Sequence, residues 1–190
     1  MAAAIYSTVN ESGIDVNSVF ILDTKGTPEY PNPPFLPGTP AWGTDGSEWV
    51  YATASITIAA SSVVVFSNTP GSWSVALIGG SAAAGQFGSL LGVVGGSTGT
   101  MLVPAPSGTQ NGTYFWAQVK GNCPNVKTSA STTKNAQLYT IAATAGQVFS
   151  TTPGAGSGNQ IAGLVISVAN GSTAGPNSAI LNFPTLGVAT

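Results

Sequence analysis

From Trp49 onward the apolar residues come in short runs, and each run stops at a cluster of Gly, Pro, Asn or Ser. The first two, "SITIAASSVVVFSN" (55–68) and "GSWSVALIGG" (71–80), are rich in β-branched residues or alternate, and the turn signal "NTPG" divides them. The series continues with "FGSLLGVVGG" (87–96), "TMLV" (100–103), "YFWAQVKG" (114–121), "NVKTSAS" (125–131) and "AQLYTIA" (136–142). It ends with "GQVFSTT" (146–152), "QIAGLVISVA" (160–169) and "SAILNFP" (178–184). No window keeps a helical period with capping residues at its ends, so the pattern predicts strands throughout. Many short strands between turns make an all-β protein, either one compact β-sandwich or β-barrel body or two small β subdomains in series. The first subdomain would cover 49–105 and the second 110–190, joined at "VPAPSGTQNG".

Residues 1–48 follow another rule. "KGTPEYPNPPFLPGTPAWGTDG" holds six prolines in 22 residues, which excludes helix and central strand. It also carries Tyr30, Phe35, Leu36 and Trp42, residues that a disordered linker tends to lack. The segment therefore reads as an extended proline-rich arm that lies against another surface, its own body or a neighbour's. Its candidate contacts are Tyr30, Phe35, Leu36 and Trp42, with Phe35 and Trp42 as the main anchors. Cutting off residues 1–45 is expected to leave a folded β body.

Charge sharpens this division. Charged residues make up 5% of the chain, against about 25% in an average soluble protein. All six carboxylates (Glu11, Asp15, Asp23, Glu29, Asp45 and Glu48) precede residue 49, and after it come only Lys120, Lys127 and Lys134. Three lysines are too few to displace the counterions of a nucleic acid, so no nucleic-acid partner is expected. A surface this poor in charge is weakly protected from self-association and suits an assembly. One cysteine, Cys123, allows no internal disulfide, which fits folding in a reducing cytosol. "MAAAIYSTVN" lacks the features of a secretory signal. The uncharged stretch 74–96 is too dilute in apolar residues for a membrane helix and reads as Gly-rich strands, so no membrane partner is expected.

Catalysis finds little to work with. The chain has no histidine, and its carboxylates are scattered through the arm. Asp45 and Glu48 form the one plausible pair, and Asp45-Gly46 reads more simply as the corner of a turn. Cys123 sits between turn signals with no imidazole to lower its pKa, so it reads as a packing residue. Zinc and calcium loops lack their ligands. The reading is a protein that is not an enzyme, with no catalytic residue, no metal and no cofactor.

The order of motifs in the C-terminal half resembles a known family. Gly88–Val94 ("GSLLGVV") comes first, then a Y-x-W-x-Q strand of Tyr114, Trp116 and Gln118, followed by Gly121. An "LYT" strand (Leu138, Tyr139, Thr140) and a closing pair, Ile161–Gly175 and Ala179–Pro184 ("AILNFP"), complete the series. Over residues 87–190 this chain resembles the capsid decoration, or cement, proteins and minor head proteins of tailed bacteriophages. Its connection from Val94 to Tyr114 is longer than in that pattern. The resemblance implies a structural role for Tyr114, Trp116, Gln118 and Gly121. It also implies a major capsid protein as partner, self-association as a trimer, and a place on the outer capsid surface after synthesis in the bacterial cytoplasm.

In such a protein the arm would bind the coat lattice and stabilise it. An alternative is a carbohydrate-binding or host-attachment module, in which Trp49, Trp73 and Trp116 stack on sugars. A bacterial surface-layer protein is a further alternative consistent with the low charge. Trp116 itself reads first as a sheet-packing residue, Lys120, Lys127 and Lys134 as solvent-facing or edge positions, and the stretch 111–140 as scaffold.

Overall fold

Runs of β-branched and aromatic residues, broken every few positions by turn formers, leave the backbone extended pairing as its way to satisfy N–H and C=O groups. The computed structural model describes residues 5–7, 10–21, 33–54, 56, 58–67, 69, 71–79, 88–95, 101–102, 113–141, 144–151 and 158–189. The protein is all-β, with no helix among these residues. In chain order the strands are β1 (Ile5–Ser7), β2 (Asn10–Ile14), β3 (Phe20–Ile21), β4 (Pro40–Gly43) and β5 (Glu48–Ala54). Next come β6 (Ile58–Ala59), β7 (Val63–Phe66), β8 (Ser74–Leu77), β9 (Leu91–Val94) and β10 (Met101–Leu102). The last four are β11 (Thr113–Thr128), β12 (Leu138–Tyr139), β13 (Asn159–Ile166) and β14 (Gly175–Ala189).

Five of these strands close a barrel. β5 pairs with β8 in parallel, β8 with β7, β7 with β9, β9 with β11, and β11 returns to β5, the last four antiparallel. A five-stranded ring encloses little space, so its interior must mix small and large side chains. Ala52, Ala54 and Ala117 fill it together with Phe66, Phe115, Val64, Val75, Val94 and Val119. Gly92 completes the fit, because a Cβ there would stand 3.1 Å from both Ala117 and the Phe66 ring.

A second sheet grows from the same long strand. Past Lys120, β11 pairs with β14, β14 with β13, and β13 with β12. Single bridges from Tyr139 to Phe149 and from Thr128 to Val148 carry the pairing on. The second core fills the space between this sheet and the outer face of β7 and β9. Val63, Val65, Leu91 and Val93 come from the barrel, and Cys123, Val126, Leu138, Ile161, Leu164, Ile166, Leu181 and Leu186 from the sheet.

Three details depart from the sequence reading. The run 55–68 is not one strand: Ser61 takes a left-handed φ of 65° and splits it into β6 and β7. "YFWAQVKG" and "NVKTSAS" are one strand, which crosses "NCPN" through a bulge between Cys123 and Val126. Residues 49–105 do not close a unit alone, because Thr113–Gln118 of β11 supplies the fifth stave. The connection 103–112 lies outside the described residues.

The described parts of the arm lie on the body as short strands. β4 pairs with β5, β1 with β4 and β2, and β3 with the start of β11. Pro40 sits at the first position of β4, where its missing N–H costs no ladder bond. Between them the arm and the barrel bury a third cluster of Ala41, Tyr51 and Trp116, packed by Ile14, Val16, Phe35, Trp49 and Tyr114. Cutting off residues 1–45 therefore uncovers Tyr51 and Trp116, each at most 2% exposed, so the body does not survive that cut unchanged.

The measurement that checks this is the unfolding of Phe35→Ala in urea. Phe35 is half-buried, so the expected loss is about 2–3 kcal/mol, just below the range for a fully buried Phe. An unchanged midpoint would show the arm to be energetically separate from the barrel.

Candidate functional site

Two groups of residues were singled out by the sequence, and the fold keeps them on separate surfaces. The first lies along β11. Tyr114, Trp116 and Gln118 occupy alternate positions, so they share the face of the strand turned away from the barrel interior. Tyr114 stacks on Tyr51 at 5.9 Å between ring centroids and 16° between planes. Trp116 lies edge-on to Phe35 at 5.2 Å and tilted to Tyr51 at 5.0 Å, and is 1% exposed. Contacts of this kind are worth about 0.5–1.5 kcal/mol each beyond the area they bury.

Gln118 works at the point where β11 leaves the barrel. The register shifts between Gln118 and Lys120, and carbonyls there turn out of the ladder. The buried Gln118 carboxamide donates to the Lys120 carbonyl at 3.0 Å and the Asn122 carbonyl at 3.1 Å. Gly121 follows with φ +96°, and a Cβ on it would stand 2.7 Å from Ser47 Cα. Gly is needed here both for its backbone angle and for the close approach of the β4–β5 hairpin. Tyr114 and Trp116 thus pack beneath the arm, and Gln118 and Gly121 form the joint between barrel and sheet.

One nearby charge is paired. Lys120 bonds Glu48 at 2.6 Å across the β11–β5 ladder and sits 5.4 Å above the Phe183 ring. Both partners are partly exposed, so the pair is worth no more than about 1 kcal/mol. Lys127 is half-buried and Lys134 exposed. Cys123 is 4% exposed, and burial pushes its thiol up to about 11, with the Asn125 backbone offsetting part of the rise. Burial likewise raises the Tyr51 phenol, whose hydroxyl has no hydrogen-bond partner among the described residues. Asp45 stays below the usual carboxylate range through hydrogen bonds from the Ser47 side chain and backbone. It precedes Gly46 (φ +80°) in the β4–β5 turn, the corner foreseen for it. Among the described residues no three His, Cys, Asp or Glu side chains converge as metal ligands. No helix among them is long and apolar enough to cross a membrane.

The second group is the arm. Tyr30 lies outside the described residues. Phe35, read from sequence as an anchor of the arm on its own body or a neighbour's, packs on Tyr51 and Trp116 of its own chain. Leu36 and Trp42 point outward and are 79% and 40% exposed. Leu36-Pro37-Gly38-Thr39 forms a tight turn, with the Thr39 N–H donating to the Leu36 carbonyl at 3.0 Å and Gly38 at φ +91°. Gly38 donates to the Tyr51 carbonyl at 2.7 Å, so the turn is fastened to the barrel. The turn presents Leu36, while Trp42 lies on β4, on the face opposite the buried Ala41.

The tryptophans considered for sugar stacking are already in use. Trp73 packs against Gly38 and lies edge-on to Phe66 at 6.0 Å. Trp49 is half-buried and donates its indole N–H to Ser47 Oγ at 3.1 Å, while Trp116 is buried. Trp42 is the most open of the four. The sequence reading missed one further surface, the outward face of β13 and β14, which exposes Val165, Ile180 and Phe183. Its signal was Gly163 within an apolar run: its left-handed φ of 73° shifts the alternation and turns Val165 outward. No protein-family model and no characterised protein matches this sequence.

Two measurements test the joint. Gly121→Ala is expected to cost about 2 kcal/mol or more, since it adds a forbidden backbone angle to a clash; a loss under about 0.5 kcal/mol would contradict the packing. For Cys123, the unfolded thiol ionises near its ordinary value of 9.0 and the folded one near 11. Between those values the unfolded state holds fewer protons, so stability falls as pH rises. Cys123→Ala should flatten that part of the alkaline decline, and the native thiol should resist a thiol reagent at pH 8 until denaturant is added. Rapid labelling of the native protein would contradict its burial.

Proposed function

We propose that this chain is a non-enzymatic virion structural protein that decorates a tailed-phage capsid by binding the lattice of its major capsid protein. The observation that carries the reading is the exposure of two large apolar side chains on the arm, Leu36 on a turn bonded to the barrel and Trp42 on β4, which is paired with β5. Side chains already ordered lose little entropy on docking, so more of their burial appears as affinity. Large apolar side chains with a rigid backing are the usual hot spots of interfaces. The motif order over residues 87–190 supports the same reading.

Binding would proceed by burial alone. A specific contact removes about 1,600 Å² from water, and a copy that touches several coat subunits multiplies its hold through effective concentration. Asp15 and Asp45 are exposed on the same N-terminal segment, where their charge can steer the chain toward basic coat residues. The protein would sit on the outer capsid surface in many copies. The packing of Trp49, Trp73 and Trp116 within the chain weighs against a sugar-stacking module.

The test is occupancy on purified particles that lack the protein. Leu36→Asp and Trp42→Ala are each expected to weaken binding about tenfold or more, as loss of a hot-spot side chain does. Both positions are exposed, so the unfolding midpoint should hold. Wild-type occupancy by both variants would remove Leu36 and Trp42 from the interface.

A further inference from the structure

Asn170 lies in the connection from β13 to β14 and ties the end of that hairpin to the end of β11. Its carboxamide donates to Thr128 Oγ1 at 3.0 Å and to the Ser129 carbonyl at 3.1 Å. Two backbone bonds flank it. The Asn170 N–H donates to the Thr132 carbonyl at 2.9 Å, and the Ser131 N–H to the Gly171 carbonyl at 2.7 Å. The turn that receives these bonds is itself held, with Thr132 Oγ1 donating to the Ser129 carbonyl at 2.8 Å. Asn170 thus latches together two connections that lie far apart in the sequence.

Only an amide closes this latch. The Ser129 carbonyl has no proton to give, and the single hydroxyl proton of Thr128 goes to the Gly175 carbonyl at 3.1 Å. Both partners accept, so Asn170 must supply both hydrogens from its one NH2 group. A carboxylate in its place brings no donor and sets its charge against the Ser129 carbonyl.

The next residue gives a chemical route to that loss. Asparagine is among the less durable side chains, because the following backbone nitrogen can attack its carboxamide carbon. Gly171 offers that nitrogen without a Cβ in the way, and the space around a Cβ built there is empty to 4 Å. Its N–H makes no backbone hydrogen bond among the described residues. Residues 171–174 are exposed, so water has access.

We propose that Asn170-Gly171 is a self-modification site whose rate is set by the latch. While Thr128 and Ser129 hold the carboxamide, it is not free to meet the Gly171 nitrogen. Once the connection opens locally, that nitrogen bonds to Asn170 Cγ, the Cγ–Nδ2 bond breaks, and the Gly171 proton leaves with the amide as ammonia. One water then opens the succinimide ring at either carbonyl, giving aspartate or isoaspartate, with no change of oxidation state. The product carries no donor, so the latch does not close again. The other Asn-Gly pair of the chain, Asn111-Gly112, lies outside the described residues. The inference concerns the isolated chain and does not rest on the virion role.

Peptide mapping by mass spectrometry tests it, on the full chain kept at mildly alkaline pH either folded or in guanidinium chloride, with the two Asn-Gly pairs scored separately. Conversion at Asn170 is expected in both states, about tenfold or more slower in the folded one, as local opening must come first. Thr128→Val keeps the shape but removes one acceptor, and should speed conversion in the folded chain about threefold or more. Gly171→Ala should slow it in guanidinium chloride. Asn170→Asp, the finished product, should lower the folded-to-unfolded ratio about fivefold or more. If Thr128→Val fails to fold, the wild-type comparison and Asn170→Asp decide. Conversion as fast in the folded chain as in denaturant overturns the latch, and so does full stability of Asn170→Asp. Absence of conversion in both states, or conversion that Gly171→Ala leaves untouched, overturns the self-modification.

Discussion

One strand holds both halves of this molecule in register. The first half of β11 closes the barrel between β5 and β9, and its second half carries β14 and the sheet beyond. The half of the strand that closes the barrel buries both faces: Phe115, Ala117 and Val119 fill the barrel, while Trp116 packs under the arm. The passage between the two uses is the costly place, because a ladder cannot change partners without leaving carbonyls unpaired. Gln118 supplies the missing donors, and Gly121 lets the β4–β5 hairpin close over the gap. A buried polar group without a partner costs about 1–3 kcal/mol, so these residues matter through what they prevent.

The same economy explains the arm. A barrel of five strands has too small an interior to hide its large aromatics, so Tyr51 and Trp116 face outward and need a cover. Phe35 and Ala41 provide it, and β4 adds a strand to the barrel's edge. The turn at Leu36–Thr39 then has a fixed footing, and Trp42 is held on β4 by its pairing with β5. The stability of the body and the proposed contact with a capsid thus depend on the same short segment.

How much of this was legible in the sequence depends on the distance over which each feature is decided. Strand class was legible, since β-branched runs and turn formers act locally. The Asp45-Gly46 corner and the burial of Cys123 were legible for the same reason. Trp116 as a packing residue followed from its neighbours on the strand. The continuity of β11 through "NCPN" was not legible, because a bulge lets Pro124 stay within a strand that local rules would end. The break at Ser61 was hidden in the opposite way, inside a run with no Gly or Pro to mark it. That Phe35 anchors on its own body was not legible, because the aromatics it covers lie at positions 51 and 116, and only the fold brings the three together. The exposure of Val165 was not legible, because a shift of one residue at Gly163 decides which face it occupies.

Taken together, these features describe a body built to present surfaces, with its aromatic residues used for rigidity and its carboxylates confined to the front. Imaging purified phage particles to side-chain resolution tests that account most directly. The expected result is density for the barrel and its second sheet on the outer shell, at a fixed ratio to the coat protein, with Leu36 and Trp42 against it. Absence of the chain from intact particles, or its presence only at the tail, would contradict the account.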